Sequence, residues 1–292
     1  MLSSQQTLVS NILGHPVRSM HRVSGGDICS AWRVEGTDGR RWFAKHHPRE
    51  PRGMFALEAE GLQALRIAAD GALHIPSVHA ATPPDAQTAW LLLDWVDPGP
   101  TPPEADAAFG RGLATLHRSP APPVPSENWL ATVRQINHPP PKTTTWPEFW
   151  WIFRLEPRLR ALRGPARLPS ALRDRLHQLA ARLPALLAID EPLSLLHGDL
   201  WSGNRLTDVR GRPHLVDPAV CVGHREVDLA MMELFGGFGA DCWAAYDEVW
   251  PRLPGFATRR PIYQLYYLLV HVEMFGASYW ADVARTLDQI DM

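Results

Sequence analysis

The sequence predicts an α+β fold in two lobes, a small β-rich N-terminal lobe over residues 1–96 and a larger α-rich C-terminal lobe over residues 97–292. Three observations carry this. An Asp-Gly turn (Asp38-Gly39) between two apolar runs marks an early hairpin. The short run AWLLLDWV at 89–96 has the unbroken apolar character of a buried strand leaving the first lobe. After Pro147, apolar residues recur mostly at helical spacing.

Taken in order, residues 33–35 and 41–45 read as the hairpin strands on either side of the turn at 36–40. Residues 55–67 follow as a helix, with apolar positions at 55, 59, 62 and 65 and a stop before Asp70-Gly71. Of the 28 prolines, 14 fall between Pro83 and Pro147, so this stretch reads as a connector in which long helices are broken. Helices are then expected over 147–162, 170–187, 227–235, 240–250 and 261–279, with short strands at 205–207 and 214–216.

Composition narrows the function. With 29 Lys plus Arg against 31 Asp plus Glu, the net charge is −2, which argues against a nucleic-acid binder held by phosphate neutralisation. No apolar run is long enough to span a bilayer, and the first residues lack the basic and apolar regions of a secretory signal. The three widely spaced cysteines, Cys29, Cys221 and Cys242, read as reduced thiols and point to the cytoplasm.

The chemistry sits in Leu196-His197-Gly198-Asp199-Leu200-Trp201-Ser202-Gly203-Asn204, followed thirteen residues after Asn204 by Asp217-Pro218-Ala219. Phosphoryl transfer from a nucleotide needs a carboxylate to orient the attacking hydroxyl and oxygen ligands to hold Mg²⁺ against the phosphates. Asp199 fits the base, and Asn204 and Asp217 fit the metal ligands, at the spacing that kinases use. Each tripeptide alone is an ordinary turn; the offsets together carry the signal. The first lobe supplies matching parts. Gly25 and Gly26 lack side-chain bulk and let backbone amides approach phosphates. Lys45, near the end of the second hairpin strand, is predicted to pair with Glu58 in preference to Glu60 and to sit over the α/β-phosphates. The Asp94 carbonyl and Val96 amide are placed to pair with an adenine edge, so ATP and Mg²⁺ are the expected cofactors.

The blocks HGDLWSGN, VDPAVCVGHREVDLAMMELFGGF and YQLYYLLVHVEMFGASY resemble the fructosamine kinase (ketosamine-3-kinase) family, within the wider aminoglycoside-phosphotransferase and protein-kinase-like fold. The resemblance runs from Gly25-Gly26 to Tyr279 and is most specific over 196–238. It implies ATP-dependent phosphorylation of the 3-hydroxyl of ketosamines, whose unstable 3-phosphates release the amine, so that glycated amines or proteins are deglycated. The family's motif positions fall on Lys45, Glu58, Asp199, Asn204 and Asp217. Some relatives carry an acidic residue where His224 stands, and asparagines where this chain reads Val270-His271-Val272-Glu273, so His224 is a candidate acceptor-pocket residue.

A small acceptor is favoured over a protein one. Gly198 stands where regulated protein kinases carry an arginine, only eight residues separate Asp217 from Glu226, and Pro218 stiffens the metal loop. Trp201 either stacks on the acceptor or plugs the core. His197 is expected to fix the catalytic loop through backbone hydrogen bonds, and Asp228 to accept backbone N–H groups beneath it. His117 reads as a cation at a helix C-terminus. Another small-molecule phosphotransferase, acting on an aminoglycoside, choline or homoserine, and a catalytically silent nucleotide binder are the competing readings.

Overall fold

The computed structural model describes residues 2–24, 29–49, 53–86, 88–140, 145–163 and 168–291. Gly25 and Gly26 lie outside them. The chain opens with helix α1 (Leu2–Leu13), then strands β1 (Val17–Val23), β2 (Ser30–Gly36) and β3 (Arg41–His47), helix α2 (Met54–Ala69), and strands β4 (Val78–Ala81) and β5 (Ala89–Asp94). These strands form one antiparallel sheet in the order β1-β2-β3-β5-β4. The β2–β3 hairpin closes where the sequence places it, with Gly39 at φ 82° and the Gly36 amide donating to the Arg40 carbonyl. Strand β5 is buried on both faces, which explains its unbroken apolar run. Trp90 and Leu92 pack with Val9 of α1, while Leu91 and Leu93 pack with Phe55 and Leu65 of α2. Lys45 is the cross-strand partner of both Ala31 and Leu91, and so lies on the face turned toward α2.

The rest of the chain is mainly helical. Helix α3 (Pro103–Arg118) is followed by the hairpin β6 (Glu127–Leu130) and β7 (Val133–Ile136), then α4 (Trp146–Trp150), α5 (Glu156–Ala161) and α6 (Ser170–Leu186). Short strands β8 (Ser194–Leu196), β9 (Arg205–Thr207), β10 (Pro213–Leu215) and β11 (Cys221–Gly223) carry the loops between them. Helices α7 (Glu226–Phe235), α8 (Ala240–Val249), α9 (Phe256–Phe275) and α10 (Trp280–Asp291) complete the fold. The sheet-rich and helical parts share apolar core: Phe55, Leu65 and Leu91 belong to the same buried cluster as Leu113, Leu215 and Leu229.

Three elements depart from the sequence reading. The proline-rich connector holds α3, a 16-residue helix, because residues 104–119 are free of proline. Pro103 begins the helix, where its missing N–H costs nothing, and Pro120 follows the C-cap Ser119. The helix expected over 147–162 is interrupted by a π-turn at Trp151–Leu155. Pro157 removes the amide that would bond the Phe153 carbonyl, and the Arg154 guanidinium donates to that carbonyl at 3.4 Å. The last expected helix ends at Phe275, where Gly276 at φ 93° turns the chain into a separate α10. Helix α1 and strands β1, β4, β6, β7, β8 and β11 are additional to the elements that the sequence predicts.

Candidate active site

Strand β8 delivers the catalytic loop. Gly198 adopts φ 81°, and a Cβ on it would lie 1.9 Å from the Ala219 carbonyl oxygen, so only glycine lets the loop cross so close to 217–219. The loop is held from below. Both oxygens of the fully buried Asp228 accept backbone N–H groups, from His197 at 2.7 Å and Gly198 at 2.9 Å. The Tyr267 hydroxyl of α9 donates to the Gly198 carbonyl at 2.9 Å. His197 Nε2 donates to the Val216 carbonyl at 2.9 Å, while Nδ1 accepts from the Asp199 amide at 3.3 Å. Burial lowers the His197 pKa, so the ring is neutral with both nitrogens engaged, and it holds the loop without taking part in proton transfer.

On this support the structure brings Asp199, Asn204, Asp217, Lys45 and Glu58 to one cavity of about 1130 Å³. The Asn204 side-chain amide donates to the Asp199 carbonyl at 2.8 Å, to Asp199 Oδ2 at 3.1 Å and to the Asp217 carbonyl at 3.3 Å. Lys45 Nζ donates to Glu58 at 2.7 Å and also to Asp217 Oδ1. Burial opposes the ammonium form of Lys45, but the carboxylates of Asp217 and Glu58 outweigh it and hold its pKa above the usual lysine value. Asp199 moves the other way. Burial and the neighbouring Asp217 charge push its pKa up to about 7, against the opposing hydrogen bond from Asn204. A carboxylate near neutrality beside an open cavity is what a general base requires.

The donor set suits a hard divalent cation. With its nitrogen engaged three times, Asn204 is left with Oδ1, and Asp217 contributes a half-exposed carboxylate. Among the described residues no group of three or more His, Cys, Asp or Glu is arranged around a metal position. Two protein oxygens with phosphate oxygens and water completing the shell is the pattern Mg²⁺ adopts in nucleotide sites.

Asp94 and Val96 both line the cavity. The Asp94 carboxylate is turned away, accepting from the Ser77 amide at 2.8 Å and bonding His79 at 2.6 Å, so what this segment offers a base is backbone. Trp201 lines the cavity with 40% of its surface exposed, which removes the core-plug reading. Its ring covers Gly203, where a Cβ would come within 2.2 Å.

Two expectations need correction. His224 does not line the cavity; it is 3% exposed, lies edge-on to Trp146 at 4.8 Å, and burial holds its pKa down to about 4. His117 stands in the last turn of α3, as the sequence places it, but its ring is turned into the core. It is 2% exposed and bonds Asp228 Oδ2 at 3.2 Å and the Tyr246 hydroxyl at 2.9 Å. Arg225 extends this chain, bonding the Tyr246 hydroxyl at 3.3 Å and Glu191 at 2.8 Å. Tyr246 and Tyr267 escape sequence reading, and the partners of His117 with them, because the bonded residues lie 69 to 129 positions apart. A run as apolar as YQLYYLLV signals only burial.

Fold and site together define a phosphotransferase of the protein-kinase-like kind. The fructosamine kinase family model matches residues 1–291, and the chain belongs to that family. A probable ketoamine kinase of Enterococcus faecium is 36% identical over 273 residues, covering 91% of this chain and 93% of that protein. A chloroplastic protein-ribulosamine 3-kinase of Oryza sativa is 31% identical over 278 residues, covering 93% of this chain and 78% of that one. A crystal structure from Thermobifida fusca, described as a candidate fructosamine-3-kinase, superposes with a TM-score of 0.88 at 31% identity and covers 99% of both chains. An aminoglycoside phosphotransferase bound to ADP and hygromycin B shares the fold alone, at 16% identity and a TM-score of 0.61. The chain is thus a kinase that uses ATP. No helix among its described residues is long and apolar enough to cross a membrane.

Proposed function

We propose that the chain transfers the γ-phosphoryl group of Mg-ATP to the 3-hydroxyl of a ketosamine, in the cytoplasm, as a step in the removal of sugar adducts from amines. In this reading Lys45 held by Glu58 neutralises the α/β-phosphates, and the Asp94 carbonyl and Val96 amide meet the adenine edge. Asn204 and Asp217 would hold Mg²⁺, which would screen the phosphate charge. Asp199 accepts a hydrogen bond from the 3-hydroxyl and takes its proton as the bond from O3 to the γ-phosphorus forms and the bond to the β-bridging oxygen breaks, releasing ADP. His197, Asp228 and Tyr267 keep the Asp199 backbone in place.

The observation that carries the reading is the convergence of Asp199, Asn204 and Asp217 with the Lys45–Glu58 pair on one cavity. A second observation favours a ketosamine over a polycationic aminoglycoside. Among the described residues lining the cavity the only carboxylates are Glu58, Asp94, Asp199 and Asp217. Glu58 and Asp217 are engaged by Lys45 and Asp94 by His79, which leaves Asp199, the proposed base, as the single carboxylate to meet several ammonium groups. ADP release with Mg-ATP and a panel of ribulosamines, fructosamines, aminoglycosides and choline tests the assignment. Turnover is expected on the ketosamines, with ³¹P NMR placing phosphate on O3. Turnover confined to aminoglycosides or choline would overturn it.

A further inference from the structure

The cavity has a wall that phosphoryl transfer leaves unexplained. Trp201, Phe235 at the end of α7, His271 and Phe275 of α9, and Tyr279 just beyond it all line it. The His271 ring is the hub, with centroids 5.1 Å from Phe235, 5.5 Å from Phe275 and 5.0 Å from Tyr279. Trp201 adjoins Phe235 edge-on at 6.5 Å. Trp201, Phe235 and Phe275 keep 40%, 41% and 47% of their surface exposed, a contiguous aromatic face of the kind that marks a ligand site.

The tautomer of His271 is fixed. Its Nδ1 lies 2.8 Å from the Tyr267 carbonyl, which can only accept, so Nδ1 carries the proton and Nε2 keeps a lone pair. Burial lowers the ring's pKa, and His271 is neutral near pH 7. One turn back along α9, the Tyr267 hydroxyl bonds Gly198 beside Asp199, so this wall and the catalytic loop are rigidly joined.

Resting on the ketosamine reading, we propose that this wall is the subsite for the amine end of the acceptor. The secondary ammonium donates to Nε2 of His271 against the aromatic faces, and an uncharged arylalkyl or alkyl substituent on that nitrogen packs on Phe275 and Tyr279. The chemistry of a ketosamine fits. Its nitrogen is borne by C1, close along the chain to the reacting C3 hydroxyl, and as a secondary amine it remains protonated near neutrality. Neutral rings hold a single cation by cation–π attraction. A second cation further along the substituent finds Glu273, the one carboxylate of α9, already bonded to Arg158 at 2.6 Å. Burying such a cation unpaired is unfavourable. The site therefore selects ketosamines of apolar amines over those of diamines.

The test compares kcat/KM for the ribulosamine of benzylamine with that for the monoribulosamine of putrescine. The wild type is expected to prefer the benzyl substrate by about tenfold. Phe275→Ala and Tyr279→Ala should raise the KM for the benzyl substrate by about tenfold and erase the preference. His271→Leu should raise the KM for both substrates, with the KM for ATP as the control of folding. Equal use of both substrates by the wild type, or an equal loss on both in Phe275→Ala, overturns the subsite alone. Absence of turnover on any ketosamine overturns the ketosamine reading and the subsite with it.

Discussion

Around Asp199 the side chains are bound to one another and to backbone, whereas on the opposite wall the cavity is met by the rings of Phe235 at the end of α7, Phe275 at the end of α9 and Tyr279 just beyond it. The floor is positioned by hydrogen bonds to Asp228, Tyr267 and Asn204, each with a fixed direction. The wall is positioned by ring packing around His271, which tolerates changes of shape. The contrast follows the demands on each part. Phosphoryl transfer needs atoms held within fractions of an ångström, and directional bonds do this. Acceptor choice needs only a surface of suitable shape and charge. Changes to the floor should therefore cost rate for every acceptor, and changes to the wall should alter which acceptor is used.

The largest effect is expected at the metal-side carboxylate. Asp217→Ala removes one of the two proposed Mg²⁺ oxygens and should lower kcat by about a thousandfold or more on all ketosamines, measured by ADP release. Next comes the brace beneath the loop. Asp228→Ala leaves the buried amides of His197 and Gly198 and the ring of His117 without their acceptor. It should lower kcat by about a hundredfold and stability by about 3 kcal/mol, read by single-turnover kinetics and urea unfolding. If Asp228→Ala instead changed only the preference among acceptors, the division between floor and wall would be wrong.

The pH response is smaller and follows from Asp199. Its pKa is raised to about 7, so the base form is lost as pH falls, and kcat/KM at pH 6 should be about tenfold below its alkaline plateau. The same shift has a consequence for stability. Because the folded pKa stands above the usual 3.8, the folded state binds this proton more tightly than the unfolded one. The stability it confers is complete at low pH and is lost between about pH 4 and about pH 7. Asp199→Asn should therefore raise the melting temperature by a few degrees at pH 8 and by less at pH 5, measured by calorimetry.

Much of the floor was legible in the sequence, and little of the wall's arrangement was. Asp199 and Asn204 stand five residues apart and Asp217 follows across a short hairpin, so local spacing carries their geometry. The choice of Glu58 over Glu60 as the partner of Lys45 followed from helical phase, and the 2.7 Å bond agrees with it. The role of His224 was misjudged because nothing local shows that its ring turns in against Trp146. The proline count obscured α3, since what governs a helix is the proline-free interval and not the density around it. The gathering of Phe235, His271, Phe275 and Tyr279 depends on how α7, α9 and the turn at Gly276 pack, which periodicity does not report.

The most direct measurement is a comparison of Asp199→Asn with the wild type under single-turnover conditions, using a ribulosamine and Mg-ATP, with nucleotide affinity measured by calorimetry on the same samples. Nucleotide affinity should remain within about threefold of the wild type while phosphoryl transfer falls by about a thousandfold. Transfer at the wild-type rate in Asp199→Asn would contradict the account.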